Sequence, residues 1–174
     1  MALLGAAPAQ AAQTPLFAAF ERFCIDTGAK TEAVAAAVAA AGGKQGPPSF
    51  LYPPGAYWQI RLQGEDLTIS SETYPPDTRY GPDHQTCLIE SERDDAAGVA
   101  AIMQWAGFGP SYKAHGAQPY RFVVHGGRRL PVTGGTDPSP ADLKDGRVWA
   151  VKMEHGRQGT KALLIHLMPV SGRR

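Results

Sequence analysis

Two periodicities take turns along the chain. From Leu16, apolar residues recur at helical spacing: Leu16, Phe20, Phe23 and Cys24 form a stripe with Thr27, which Asp26-Thr27-Gly28-Ala29 interrupts. Thr31 is placed to cap a second helix that runs through Ala41 and stops at Gly42-Gly43, with Val34, Ala37, Val38 and Ala41 inward. The period then changes to two. Tyr57–Gln63 alternates, with Trp58, Ile60 and Leu62 on one face. Gly64-Glu65-Asp66 reads as a turn, Leu67 and Ile69 resume the alternation, and a Pro- and Tyr-rich loop spans Tyr74 to His84. A third strand covers about Gln85 to Glu90, with Cys87 and Ile89 facing the helix that carries Cys24.

The plan then starts again. Asp94 and Asp95 open a helix to about Ala106, where carboxylates favour the positive end of the helix dipole, and Val99, Ile102, Met103 and Ala106 make its inner face. Strands follow at about Pro119–His125, Arg147–His155 and Lys161–Met168. Alternation groups Tyr120, Phe122 and Val124, then Trp149, Val151 and Met153, then Leu163, Ile165 and Leu167 as the core-facing sets. Trp58, Ile60, Phe122, Trp149, Val151 and Ile165 are therefore expected beneath the helices. Helix exits are alike too, Ala39–Gly43 ending Gly-Gly and Trp105–Gly109 reading Trp-Ala-Gly-Phe-Gly. The expectation is an α+β two-layer sandwich: a largely antiparallel sheet, helices on one face, and an αβββ–αβββ pseudo-repeat over about 14–92 and 93–170 of a single domain, 13–174. This order of elements is similar to that of the β-lactamase inhibitor proteins, which also repeat a helix-plus-sheet unit.

Composition adds a compartment. At 174 residues with a net charge of +1, the chain suits one domain and offers neither a nucleic-acid surface nor a polybasic membrane patch, and no apolar run is long enough for a membrane span. Residues 1–12 read as the tail of a secretory signal: an apolar stretch, Pro8, then Ala9-Gln10-Ala11 as a small-x-small cleavage pattern. An ordinary flexible, Ala-rich terminus is the alternative. The expected location is periplasmic or secreted. There, two cysteines, Cys24 and Cys87, are expected to pair, the alternative being two buried thiols.

Catalytic signatures for the common hydrolases, metalloproteases and nucleotide enzymes are missing, so no catalytic residue, metal or cofactor is expected. Of five histidines, His125 and His166 fall on strands, and parity places both on the face away from the helices. Asp83-His84 near Glu90 and Glu92 offers acid and base groups only if they converge. Arg128-Arg129 reads as a solvated loop pair, with contact to an anion as the alternative. The outer face collects Tyr57, Gln59, Arg61, Leu88, Arg121, Val123, His125, Ala150, Lys152, Leu164 and His166, flanked by the loops Tyr74–His84 and Gly126–Gly146. Aromatic, aliphatic and cationic groups interleaved on one face suit a protein partner or an amphipathic ligand, the alternative being an ordinary open antiparallel face in water. The reading is a non-catalytic exported binding or inhibitor module. It meets another envelope or extracellular protein through Arg61, Tyr80 and Arg121, with His125 and His166 alongside. A small periplasmic enzyme built on His84, His125 or His166 and a structural envelope component are the alternatives.

Overall fold

Thr14 and Pro15 begin the first helix. The Thr14 hydroxyl accepts from the Phe17 N–H at 3.3 Å, and Pro15 sits in the first turn, where no N–H is needed. The computed structural model describes residues 13–46, 57–75, 83–109, 119–132 and 138–169. Helix α1 (Pro15–Ala19) runs directly into a π-helical segment, Phe20–Ile25. There the Asp26 N–H donates to Glu21 O and the Ala29 N–H to Cys24 O, both at 2.9 Å and both five residues back. This wide turn buries Phe20, Phe23 and Cys24 together. Helix α2 (Thr31–Ala40) differs from expectation at its start: Lys30 is the N-cap and makes no side-chain cap. The Thr31 hydroxyl is drawn instead to Ser71 Oγ, 3.3 Å away on the sheet beneath. Helix α3 (Ala96–Trp105) starts where the two carboxylates place it, and Asp95 is also its N-cap, accepting from the Gly98 N–H at 2.7 Å; Val99, Ile102, Met103 and Ala106 are buried as read.

Strands β1 (Lys44–Gln45), β2 (Tyr57–Leu62), β3 (Glu65–Tyr74), β4 (His84–Ser91), β5 (Tyr120–His125), β6 (Arg128–Pro131), β7 (Val148–Gly156) and β8 (Gly159–Leu167) form one antiparallel sheet. Its order is β1-β2-β3-β4-β8-β7-β5-β6. The α+β sandwich stands, whereas the repeat is not confirmed. The first half is a simple meander, while the second is two hairpins, β5–β6 and β7–β8, separated by the short helix α4 (Pro140–Lys144). The expected loop Gly126–Gly146 is thus part strand and part helix. Gly126 and Gly127 take φ of 53° and 77°, which is what a two-residue hairpin turn requires. Ser139 caps α4 by accepting from the Asp142 N–H at 3.1 Å. The β2–β3 turn is Gln63-Gly64, so Glu65 already belongs to β3 and is buried.

The helices pack over β2, β3, β4, β8 and β7. Trp58, Ile60, Leu67, Ile69, Cys87, Ile89, Phe122, Val151 and Met153 fill the interlayer core, as alternation implies. Strand β8 corrects the reading. Cys87 lies opposite Leu164, and Leu164 opposite Val151, so Ala162, Leu164 and His166 face the helices. Leu163, Ile165 and Leu167 face outward; Ile165 is not a core residue, and neither Leu164 nor His166 belongs to the outer face. Every other residue of β8 from Ala162 to Leu167 except His166 is apolar on whichever side it falls, so alternation in this strand carried no sign.

Cys24 and Cys87 form a disulfide, Cα–Cα 5.5 Å, binding the π segment to β4. Behind it, a buried polar junction joins β4 to α3. Ser91 Oγ donates to the Glu65 carboxylate, the Arg93 N–H donates to Ser91 Oγ at 2.9 Å, and the Thr160 hydroxyl donates to Arg93 O at 2.8 Å. Gly159, at φ 95°, is required here, because a Cβ would lie 2.1 Å from Ser91 O. The bridge spans 63 residues, and chain-entropy reasoning gives it about 4 kcal/mol. Guanidinium titration of oxidised against reduced protein is expected to show a loss of that order. The corrected parity has its own test. Leu164→Ala is expected to cost about 2–5 kcal/mol. Ile165→Ala, half-buried on the outer face, is expected to cost clearly less, as read from urea midpoints.

Candidate functional site

The outer face divides into two chemical zones. At one end a polar row crosses five strands through the pairs Gln59↔Thr68, Thr68↔Glu90, Glu90↔Lys161 and Lys161↔Glu154. Lys161 Nζ is 2.6 Å from Glu90, and Lys152 Nζ is 3.0 Å from Glu154. The Glu90 carboxylate raises the Lys161 pKa, first through their hydrogen bond and then through its charge. An open groove of about 670 Å³ lies here, lined in part by Lys44, Arg61, Asp66 and Glu92. Its charges are balanced, with Arg61 held by Asp66 at 3.0 Å. At the other end, Leu163, Ile165 and Leu167 run along β8 with Leu88 beside Leu163, all half-buried. Ala150 beside Ile165, and the pair Val123 and Val148, are buried on this same face. Leu130, opposite Val123, and Tyr74 border the zone at 46% and 41% exposure. Tyr74 stacks on His84 with ring centroids 4.8 Å apart. Partial burial, then the neighbouring Glu72 carboxylate, push its hydroxyl up to about 12, so it stays a neutral donor at ordinary pH.

The expected site residues do not converge. Arg61 is on β2 and Arg121 on β5, five strands apart and so about 24 Å across the sheet. Tyr80 lies outside the described residues, as do His115 and residues 1–12. His125 does face outward, but both ring nitrogens are engaged. Nε2 is 2.9 Å from Asp142 and Nδ1 is 3.4 Å from the Arg147 guanidinium. Since a guanidinium only donates, the proton belongs on Nε2, where it is given to Asp142. Ser139 donates to the other Asp142 oxygen at 2.6 Å, and this bond leads the causes that hold the Asp142 carboxyl below its usual range. The cluster pins α4 to the end of β5. Sequence reading missed Asp142 because it stands 17 positions from His125, with nothing in the spacing to join them. His84 and Glu90 occupy opposite ends of β4, about 20 Å apart, so the acid–base cluster read there is not assembled. His155 is 3.1 Å from Asp94 at a third corner. Among the described residues no group of three or more His, Cys, Asp or Glu is placed to hold a metal.

His166 is on the helix side. Its Nε2 donates to Gly146 O at 2.9 Å, its ring stacks on Trp149 at 3.8 Å and 4°, and its buried Nδ1 has no partner among the described residues. Burial lowers its pKa, reinforced by the positive charge of Lys30. Next to it, Ile25, Trp105, Phe122, Val124, Arg129 and Trp149 line a cleft of about 220 Å³. The Arg129 guanidinium lies 4.2 Å from the Trp105 ring centroid. Arg129 faces inward because it pairs with Val124, whereas Arg128 pairs with outward-facing His125. The hairpin turn that decides this was hidden by the expectation of a loop.

No protein-family model, curated protein or solved structure matches the chain. Among the described residues, no helix is long and apolar enough to cross a membrane.

The neutral burial of His166 has a pH consequence. An unfolded histidine titrates near 6.5, and the folded value lies below it. Stability is therefore complete above about 6.5 and falls as pH drops from there through the folded pKa, where the unfolded chain binds the extra proton. His166→Gln removes this contribution. Urea midpoints at pH 8 and pH 5 are expected to differ less in the variant than in the parent protein.

Proposed function

We propose that the protein is a non-catalytic, exported binding module that meets a protein partner through the apolar end of its outer sheet face. One observation carries the reading. Leu88, Leu163, Ile165 and Leu167 lie side by side on a sheet face, half-exposed, between a polar ion-paired row and the exposed Tyr74 and Leu130. An apolar centre with a polar rim is the arrangement by which protein interfaces exclude water. Rigid strands present these groups at little cost in conformational entropy. Arg121, beside Ala150, borders the same zone and serves as a charged anchor, while Arg61 is too distant to share a small footprint with it. Support for export is the Ala-rich segment ending Ala9-Gln10-Ala11, and the Cys24–Cys87 bridge is compatible with an oxidising compartment. His84 and His166 lie close in the sheet but on opposite faces, His125 and His155 lie elsewhere, and each has its own partner, which favours binding over a histidine-based enzyme.

The test uses the full chain immobilised against envelope extract and extracellular fluid. Wild-type protein is expected to retain a defined partner that Leu163→Arg/Ile165→Arg releases, with far-UV spectrum and disulfide unchanged in the variant. Equal retention by both proteins would remove the face from consideration. Turnover of a small substrate abolished by His125→Ala or His166→Ala would establish the enzymatic alternative instead.

A further inference from the structure

The cleft on the helix side has a property the larger outer groove lacks: among the described residues, its one formal charge has no carboxylate partner. Its walls are aromatic and aliphatic, with Phe122, Trp149 and Leu164 from the sheet and Ile25 and Trp105 from the helical layer. Trp105 stands edge-on to Phe122 at 5.6 Å and to Phe20 at 5.9 Å, so the indole is fixed by the core rather than free to fold away. Trp149 is likewise held flat by His166. Arg129 is the single charged residue of the lining, and among the described residues no carboxylate lies within ion-pair distance of it. Desolvation, with no opposing charge, lowers its pKa, but a guanidinium remains protonated at any working pH. A cation taken partly out of water and left without a counter-ion attracts an anion of matching shape.

We propose that this cleft binds a small carboxylate carried on a single flat ring, with the ring among the Trp105, Phe122 and Trp149 walls and the carboxylate on the Arg129 guanidinium. The volume of about 220 Å³ sets the size class: it exceeds the ~150 Å³ that accepts benzene in a protein interior and is below the roughly 300 Å³ at which drug-sized pockets begin. A guanidinium lying on an indole keeps its N–H edge free for a bidentate carboxylate, and ring stacking supplies the remaining affinity. This site is on the opposite side of the sheet from the proposed protein-docking face, and the two stand independently.

Phenylacetate is the probe, and the indole N–H resonances of the three tryptophans are the readout, Trp58 on β2 serving as internal reference. At millimolar phenylacetate, the Trp105 and Trp149 signals are expected to shift in a saturable way while Trp58 stays put. Phenylacetamide, equal in shape and uncharged, is expected to bind about tenfold more weakly or worse, a difference of one charge-assisted contact. Arg129→Gln is expected to lose affinity by a similar factor, and Arg128→Gln, one residue away on the other face, to keep it. The inference is overturned if neither cleft tryptophan responds, if the acid and the amide bind alike, or if Trp58 moves with the others. The acid–amide comparison uses the unaltered protein, so the outcome does not depend on how well any variant folds.

Discussion

Everything in this fold hangs on the pairing of β4 with β8. These strands bring together positions 69 to 83 residues apart, from Ser91↔Thr160 to His84↔Leu167, and without them the sheet would be two separate four-stranded pieces. Their register decides faces as well as neighbours. Because Cys87 stands opposite Leu164, the side of β8 beneath the π segment is the one bearing Ala162, Leu164 and His166. The disulfide then ties the helical layer to the central strands, and the Gly159–Ser91 approach closes the joint at its end. Contacts of such long sequence separation carry a large loop-closure entropy, which slows folding.

Amphipathic elements were legible because each buries one side only. The inner faces of α2, α3, β2, β5 and β7 could be read from spacing, and the pairing of Cys24 with Cys87 from there being two cysteines in a chain with an export-like start. Strand β8 could not, because it is central and apolar on both faces, so period two loses its direction. Its misreading moved His166 to the wrong side and concealed Leu163, Ile165 and Leu167, the residues that make the outer face apolar. The π-helical turn was invisible for a different reason: its side chains continue the stripe of a normal helix, and only the backbone hydrogen bonds reveal it. Arg129 was legible as a residue but not as a site. Its inward direction follows from the Gly126-Gly127 turn, which sets the register of β6.

The two faces of the sheet use positive charge in opposite ways. On the outer face, Arg61, Lys152 and Lys161 each have a carboxylate within about an ion-pair length, so these charges keep the polar end solvated and self-satisfied. On the helix side, Arg129 rests on an aromatic ring instead. The first arrangement gives a surface its borders; the second leaves a valence open. That difference, more than cavity size, separates a rim from a receptor.

The margins of the sheet carry a consequence of their own. An unpaired strand edge is a template for another chain, yet among the described residues the two outermost strands are short: β1 is only two residues, Lys44–Gln45, and β6 is four residues that begin with Arg128 and end in Pro131. Neither offers the uninterrupted ladder of amide and carbonyl groups on which an incoming strand would extend the sheet. Strand addition onto β1 or β6 is thereby discouraged, as is fibrous self-association through those two strands. A partner of the kind proposed would, at these two strands, engage side chains across a face, with selectivity set by surface shape rather than by backbone complementarity.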